Sequence, residues 1–113
     1  MKKINFIFFS LFAALVSRGQ LVNNGGSITV QPGATLSCSG NLTNTTGTIT
    51  NNGKIEVQGN FVNSATYTTT TNDDSLILSG AGNAVLTTGG SSLHYLVINK
   101  AANTDVVKLG SSA

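Results

Sequence analysis

The chain has 113 residues, of which 9% are charged and 6% aromatic, and a formal net charge of +2. Three of its six basic residues precede Gln20, so the remainder has three lysines, four acids and a net charge of −1. Without a basic patch and with only three aromatic residues in this remainder, the composition argues against a nucleic-acid-binding protein. A single cysteine, Cys38, excludes an intramolecular disulfide.

The start of the chain, residues 1–19, has the pattern of a signal peptide. Lys2 and Lys3 precede a predominantly apolar run over residues 4–16, and Ser17-Arg18-Gly19 follows it. A helix that crosses a bilayer needs roughly 20 apolar residues, so this run is too short for a span, although an uncleaved N-terminal anchor is the alternative. We predict cleavage before Gln20, a secreted or cell-surface location, and no membrane span in the mature chain.

Residues from Gln20 onward have the composition of an ordered β protein. Gly, Ser, Thr and Asn supply 49 of these 94 residues. Disordered segments usually combine low hydrophobicity with a high net charge, whereas apolar residues here recur in short alternating runs. An apolar period of about 3.6 is missing after the signal peptide, and this predicts almost no helix.

Alternation bounded by Gly, Asn and Pro predicts a series of short strands. In chain order they are residues 27–30, 35–38, an inward Leu42, a second unit opening at Ile49 with Ile55 and Val57, an inward Phe61, and 75–79, 85–87, 93–99 and 106–109. Cys38 alternates in phase with Leu36, so we expect it to be a small buried side chain. The threonine-rich stretch 66–74 is expected to leave the regular structure.

Two phrases recur along the chain. Gly40-Asn41-Leu42-Thr43-Asn44 returns as Gly59-Asn60-Phe61-Val62-Asn63, at an offset of 19. The phrase Asn-Asn-Gly followed by Ile-x-Val-Gln occurs at residues 23–31 and returns at 51–58, at an offset of 27 to 28. We attribute the longer offset to an extra turn at Pro32-Gly33.

Corner glycines set the length of the structural repeat. Gly40, Gly59 and Gly80 follow one another at offsets of 19 and 21, close to one coil of a stacked β structure. We predict that residues 20–113 form an all-β, right-handed parallel β-helix or solenoid of about four to five coils. A β-sandwich is the alternative. Asn44 and Asn63 are expected to form a polar ladder, and a terminal coil without a cap predicts a module truncated at its C-terminus.

Several of these phrases resemble a known group of proteins. They are the signal peptide ending before Gln20, Gly-Asn-Leu-x-Asn, Asn-Asn-Gly-x-Ile-x-Val, and Leu93-His94-Tyr95-Leu96-Val97-Ile98-Asn99-Lys100. Together they resemble secreted, repeat-rich, adhesin-like surface proteins of the Bacteroidota, which are similar to parallel β-helix proteins. The resemblance implies a surface role and no catalytic residues. Many members carry a C-terminal sorting domain for the type IX secretion route.

Candidate chemistry in the sequence is sparse. His94 is the only histidine and Cys38 the only cysteine, so we predict no catalytic, cofactor-binding or metal-binding residues. Asp73 and Asp74, beside Asn72 and Ser75, form the one acidic cluster; a calcium site there is an alternative to a solvated turn. Asp74-Ser75-Leu76 also resembles the acceptor pattern for O-glycosylation in the Bacteroidota.

These observations predict a non-catalytic extracellular or cell-surface structural or adhesion module. Its expected partners are surface glycans or other matrix proteins, bound on faces that carry Thr29, Gln31, Glu56 and Gln58. A carbohydrate- or ice-binding solenoid is the alternative, and a fragment of a polysaccharide-active enzyme is a third possibility. Thr43, Thr45, Thr48 and Thr50 alternate in part, but we expect no threonine ladder that repeats in every coil.

Overall fold

A computed structural model describes residues 18–111 of the protein; all but the last two residues of the predicted signal peptide lie outside this range. The described residues form ten strands and no helix, and therefore no helix that is long and apolar enough to cross a membrane. The strands are β1 (Leu21–Val30), β2 (Thr35–Cys38), β3 (Leu42–Asn51), β4 (Lys54–Val57), β5 (Phe61–Asn63), β6 (Thr66–Thr68), β7 (Ser75–Gly80), β8 (Ala84–Thr87), β9 (Tyr95–Lys100) and β10 (Val107–Leu109).

The strands stack into a β-solenoid of about four coils. One sheet has the order β1-β3-β5-β8-β10, with β6 also paired to β3, and the second has the order β2-β4-β7-β9. Every strand pair in residues 18–111 is parallel and joins one coil to the next. This stacking of parallel strands in two sheets confirms the predicted solenoid and is incompatible with the β-sandwich alternative.

Two of the three corner glycines, Gly40 and Gly59, stack in one column with Gly19, whereas Gly80 lies against Gln58. The amide of Gly40 donates to the carbonyl of Gly19 over 2.8 Å, and the amide of Gly59 donates to the carbonyl of Gly40 over 3.0 Å. A β-carbon at Gly40 would lie 2.8 Å from the Gly19 carbonyl oxygen. Glycine is needed here because the two backbones approach too closely for any side chain.

The longer offset of 27 to 28, in contrast, does not correspond to a coil, and its explanation by an extra turn was wrong. Ile28 pairs with Ile49 in the first sheet, whereas Ile55 pairs with Leu36 in the second. Pro32-Gly33 lies in the ordinary corner between β1 and β2. Each side of a solenoid needs inward apolar residues between corners of glycine and asparagine, which permit the backbone angles of a turn. Similar phrases therefore arise at positions that are not equivalent.

A bend divides β1 and β3 into two straight segments each. The register between these strands shifts between Asn23 and Ser27, where Gly25 and Gly47 have φ angles of 103° and 101°. In the next coil the two segments are the separate strands β5 and β6, which pair with the two halves of β3. The second coil therefore starts at Leu42 and not, as predicted, at Ile49.

The threonine-rich stretch is also more regular than predicted. Thr66–Thr68 forms β6, so only residues 69–74 leave the stack. In this strand Tyr67 is buried while Thr66 and Thr68 are exposed. So short a strand shows no alternation that would stand out among neighbouring threonines, and the core contact of Tyr67 is what keeps it in the sheet.

Inward side chains form one core along the solenoid axis. Phe61 lies between coils and packs edge-to-face against Tyr67, with 5.7 Å between the ring centroids. Full burial of a large apolar side chain contributes about 1.5–3 kcal/mol. Cys38 is buried, as predicted. The largest apolar side chains with an exposure of 2% or less are Leu42, Ile49, Ile55, Val57, Phe61, Leu76, Leu78 and Leu86.

A ladder of buried asparagines follows the bend from coil to coil. The side-chain amide of Asn44 donates to Asn63 Oδ1 over 2.8 Å, as predicted, and Asn23 extends the ladder by donating to Asn44 Oδ1 over 2.9 Å. Each side chain also donates to a backbone carbonyl in the following coil: Thr48 for Asn23, Thr66 for Asn44 and Thr88 for Asn63. These bonds satisfy buried amides and tie the bend to the strand segment beyond it.

Candidate binding surfaces

The second segments of β1 and β3, together with β6, present a regular set of hydroxyl groups. Ser27 pairs with Thr48 and Thr48 with Thr66, while Thr29 pairs with Thr50 and Thr50 with Thr68. The residues between them, Ile28, Ile49 and Tyr67, belong to the core or pack against it. Alternation in a strand therefore places all six hydroxyl side chains on the outer surface. We call this set, Ser27, Thr29, Thr48, Thr50, Thr66 and Thr68, the threonine face.

The threonine face is a two-dimensional array with three rows and two columns. Neighbouring strands lie about 4.8 Å apart, and alternate positions along a strand are separated by about 6.7 Å. Threonine has a restricted χ1 angle because it is branched at Cβ, which favours the same side-chain orientation in each row. None of the six hydroxyls has a hydrogen-bond partner among residues 18–111.

Charge is absent from this part of the surface. No Asp, Glu, Lys or Arg occurs in β1, β3 or β6. The charged residues of the described range lie in the second sheet, in the loops and near the two ends: Arg18, Lys54, Glu56, Asp73, Asp74, Lys100, Asp105 and Lys108. The threonine face is consequently polar but electrically neutral.

The four alternating threonines noted in the sequence lie on two different segments of β3. Thr43 belongs to the first segment of β3, whereas Thr48 and Thr50 belong to the second. The recurring signal is a triplet of two hydroxyl residues around an inward apolar or aromatic one, at residues 27–29, 48–50 and 66–68. Because the offsets between the triplets, 21 and 18 residues, are unequal, the triplet does not stand out as a repeat in the sequence. The array spans three coils and does not continue in a fourth, where residues 88–94 form no strand.

The residues expected to mark binding faces are distributed over two sheets. Thr29 lies in β1 of the first sheet, with Gln31 just after it, whereas Glu56 lies in β4 of the second sheet, with Gln58 just after it. These residues therefore belong to two different sides of the solenoid. Glu56 is moreover engaged, because its Oε1 accepts a hydrogen bond from Ser79 Oγ over 2.6 Å.

A second cluster of polar groups lies where residues 69–74 meet the loop before β9. Asp74 is 1% exposed, and its Oδ1 is hydrogen-bonded to His94 Nδ1. Thr69 Oγ1 lies 3.1 Å from the same ring nitrogen. In a nucleophile–histidine–acid relay the hydroxyl and the carboxylate contact opposite ring nitrogens. The shared nitrogen makes this cluster a polar contact and not a catalytic triad.

Tyr67 is the buried titratable group next to this cluster. Burial raises the pKa of its phenol; the hydrogen bond from Asn51 Nδ2, 3.0 Å from the hydroxyl oxygen, lowers the pKa, and the charge of Asp74 raises it. Burial also raises the pKa of the Cys38 thiol. Both groups are therefore held in their neutral forms, which suits structural members of a core and not an activated nucleophile.

The remaining sequence candidates do not converge on one site. Asp73 is exposed while Asp74 is buried against His94, so the two carboxylates have different surroundings. Among residues 18–111 there is no group of three or more His, Cys, Asp or Glu side chains that could hold a metal ion. Ser75, the predicted O-glycosylation acceptor, is half-buried in β7 between Lys54 and Tyr95 of the adjacent strands.

Comparisons of the chain with protein-family models, curated proteins and solved structures gave no match. The physical character of the surfaces is therefore the guide to function. Among them, the threonine face combines regular spacing, free hydroxyls and rigid support.

Proposed function

We propose that the protein is a non-catalytic structural or adhesion module of the cell surface or extracellular space. It would hold a flat, stacked β surface against an extended partner. The observation that supports this function most directly is the threonine face, which repeats the same pair of outward hydroxyl residues on three in-register strands.

The scaffold behind the threonine face favours multivalent contact. Ile49 and Tyr67 fix the strands from the inside, and the asparagine ladder bonds to the carbonyls of Thr48 and Thr66. A preordered surface loses little conformational freedom on binding. Several weak hydrogen bonds that form together can then give useful affinity, although each alone is weak.

The predicted secreted or cell-surface location is consistent with such a role. A signal peptide over residues 1–19 would export the chain, and the resemblance to adhesin-like surface proteins points to surface glycans or matrix proteins as partners. The neutral threonine face suits uncharged, hydroxyl-rich partners. The third possibility, a polysaccharide-active enzyme, has less support because glycoside hydrolysis commonly uses a pair of carboxylates, and the one adjacent pair has Asp73 exposed and Asp74 buried against His94.

Binding of the full chain to insoluble surfaces tests this proposal. The chain would be incubated with cellulose, chitin, mucin-coated beads and polycrystalline ice, and the retained fraction measured. Thr50→Lys places a charge at the centre of the threonine face, and Thr43→Lys is the matched control because Thr43 lies in the same strand with similar exposure.

We expect retention on at least one surface, a loss of about tenfold or more in affinity for Thr50→Lys, corresponding to about 1.4 kcal/mol, and no loss for Thr43→Lys. Far-ultraviolet circular dichroism and thermal melting would establish that each variant is folded. Folded wild-type chain that is retained on none of the surfaces would refute the proposal.

A further inference from the structure

We propose that the partner of the threonine face is ice. This inference rests on the proposed surface-binding function and specifies its ligand as the ordered water lattice of a crystal. The site consists of the six residues of the face, with Thr48 and Thr50 in its central row.

The dimensions of the threonine face favour ice as its partner. Rows repeat at about 4.8 Å and columns at about 6.7 Å, as in any parallel sheet with side chains on alternate positions. The prism faces of ice present oxygen atoms with two repeat distances close to these. A two-dimensional array can therefore place several hydroxyls in register with the lattice at once, which a single threonine column could not do.

The side chains of the threonine face also favour lattice water as the partner. Each threonine offers one hydroxyl that can donate and accept hydrogen bonds and one methyl group that can fill a groove between oxygen rows. The hydroxyls of the face have no internal partners within the described residues, so they are available to lattice water. A charged residue would hold its own hydration shell strongly, and β1, β3 and β6 contain none.

The threonine face is held rigid from behind, as a surface that binds ice must be. Ice does not adapt its surface to a protein, so the protein groups must already lie at the lattice positions. The side chain of Asn44 donates to the Thr66 carbonyl over 3.0 Å and that of Asn23 to the Thr48 carbonyl over 3.5 Å. Inward Ile49 and Tyr67 are 0% and 6% exposed. The core and the ladder thus fix the middle row and the β6 row from behind.

A crystalline polysaccharide is the competing partner, and the face suits it less well. Sugar rings commonly pack on exposed aromatic side chains, which supply a large flat contact area. The one aromatic residue among these strand segments, Tyr67, points into the core, and Tyr95 lies in β9 of the other sheet. Free hydroxyls and methyl groups alone favour the lattice of small water molecules.

Ice-affinity partitioning of the full chain provides the test. A solution of the chain would be frozen slowly onto a cold finger, and its fraction in the ice compared with that of a non-binding protein of similar size. The shape of single ice crystals and the gap between melting and freezing temperatures would be recorded in the same samples. Because residues 18–111 supply only three rows, we expect a small freezing gap with clear enrichment in ice and faceted crystals.

Three variants and one control connect the effect to the face. Thr50→Lys should reduce the enrichment about tenfold or more, and the control Thr43→Lys should leave it unchanged. Thr68→Lys, on the exposed side of β6, provides a second disruption if Thr50→Lys does not fold. Thr50→Val keeps the methyl contacts and the shape of the side chain. A partial loss of enrichment in ice would therefore measure the contribution of the Thr50 hydroxyl.

Two results separate this inference from the function on which it rests. Exclusion of the folded wild-type chain from ice, with retention on cellulose or chitin that Thr50→Lys abolishes, would overturn the ice inference and leave the surface-binding function intact. Exclusion from ice and from every other surface would overturn both. Equal enrichment of wild type and Thr50→Lys in ice would show that the face is not the site.

Discussion

The third and fourth coils contain strands with the same pattern and opposite exposure. In β7, Leu76 and Leu78 are 0% exposed, whereas their partners in β9, Leu96 and Ile98, are 42% and 50% exposed. All four occupy inward positions of the same sheet. The difference arises because β9 covers β7, while no strand among the described residues covers β9. Burial in this fold is therefore supplied by the following coil.

This comparison also shows why hydrophobicity does not rank the strands by burial. Residues 95–98 are the longest uninterrupted apolar run after the signal peptide, yet β9 is the most exposed strand of its sheet. An edge strand has unpaired backbone groups on one side, and here its inward side chains also lack a covering layer. Three predictions test the contrast between covered and open coils, from the largest expected effect to the smallest.

Truncation of equivalent inward residues should have very different effects on stability. Leu78→Ala should lower the free energy of unfolding by about 2–5 kcal/mol, because it leaves a cavity between coils. Ile98→Ala should lower it by about 1 kcal/mol or less, since half of the side chain is already in solvent. Urea unfolding of both variants gives the two values. Equal losses would mean that β9 is covered in solution.

Removal of the central ladder asparagine should destabilise the covered coils by a smaller amount. Asn44→Ala removes the oxygen that accepts a hydrogen bond from the Asn23 amide and the amide that donates one to the Asn63 side-chain oxygen. The loss of a partner by a buried polar group costs about 1–3 kcal/mol. Asn24→Ala is the matched control, because Asn24 is exposed and its side chain bonds only to Thr46 Oγ1 in the described range; its effect should stay within about 0.5 kcal/mol. The same urea titration measures both. A loss for Asn24→Ala as large as that for Asn44→Ala would contradict a stabilising role of the ladder.

Removal of the buried Tyr67 hydroxyl should change how stability depends on alkaline pH. Because burial raises the pKa of Tyr67 in the folded state, its unfolded form ionises first, at a pKa of about 10. The stabilising effect is therefore complete below about pH 10 and is lost as the pH rises towards the folded pKa. Urea midpoints measured from pH 8 to pH 12 should fall more gently in Tyr67→Phe than in wild type. The Cys38 thiol, whose pKa burial also raises, should account for part of the remaining slope.

Tyr95→Phe is the control from the open coil. Tyr95 is 58% exposed, so the loss of its hydroxyl should change the stability at neutral pH by no more than about 0.5 kcal/mol. Tyr67→Phe should in addition lower stability at neutral pH, because the amide of Asn51 loses its bond to the phenol oxygen. A wild-type midpoint that does not change between pH 9 and pH 12 would argue against a buried neutral Tyr67.

Much of the solenoid could be predicted from local patterns. The phrase that begins at Gly40 and returns at Gly59 identified the coil because Leu42 and Phe61 are in direct register, and the corner glycines and the Asn44–Asn63 contact followed from the same phrase. The errors arose where two sides of one coil have similar chemistry. Residues 28–31 resemble residues 55–58 although they belong to different sheets, since each side needs inward apolar residues and flexible corners.

The sequence by itself determined the strand periodicity, the positions of the corners and the residues that form the core. These properties depend on side-chain alternation and backbone freedom, which are local. Only the tertiary structure decided which segments stack, because register is a relation between distant residues joined by corners of unequal length. That register brings residues 27–29, 48–50 and 66–68 into one neutral array and leaves Leu96 and Ile98 exposed at the last coil.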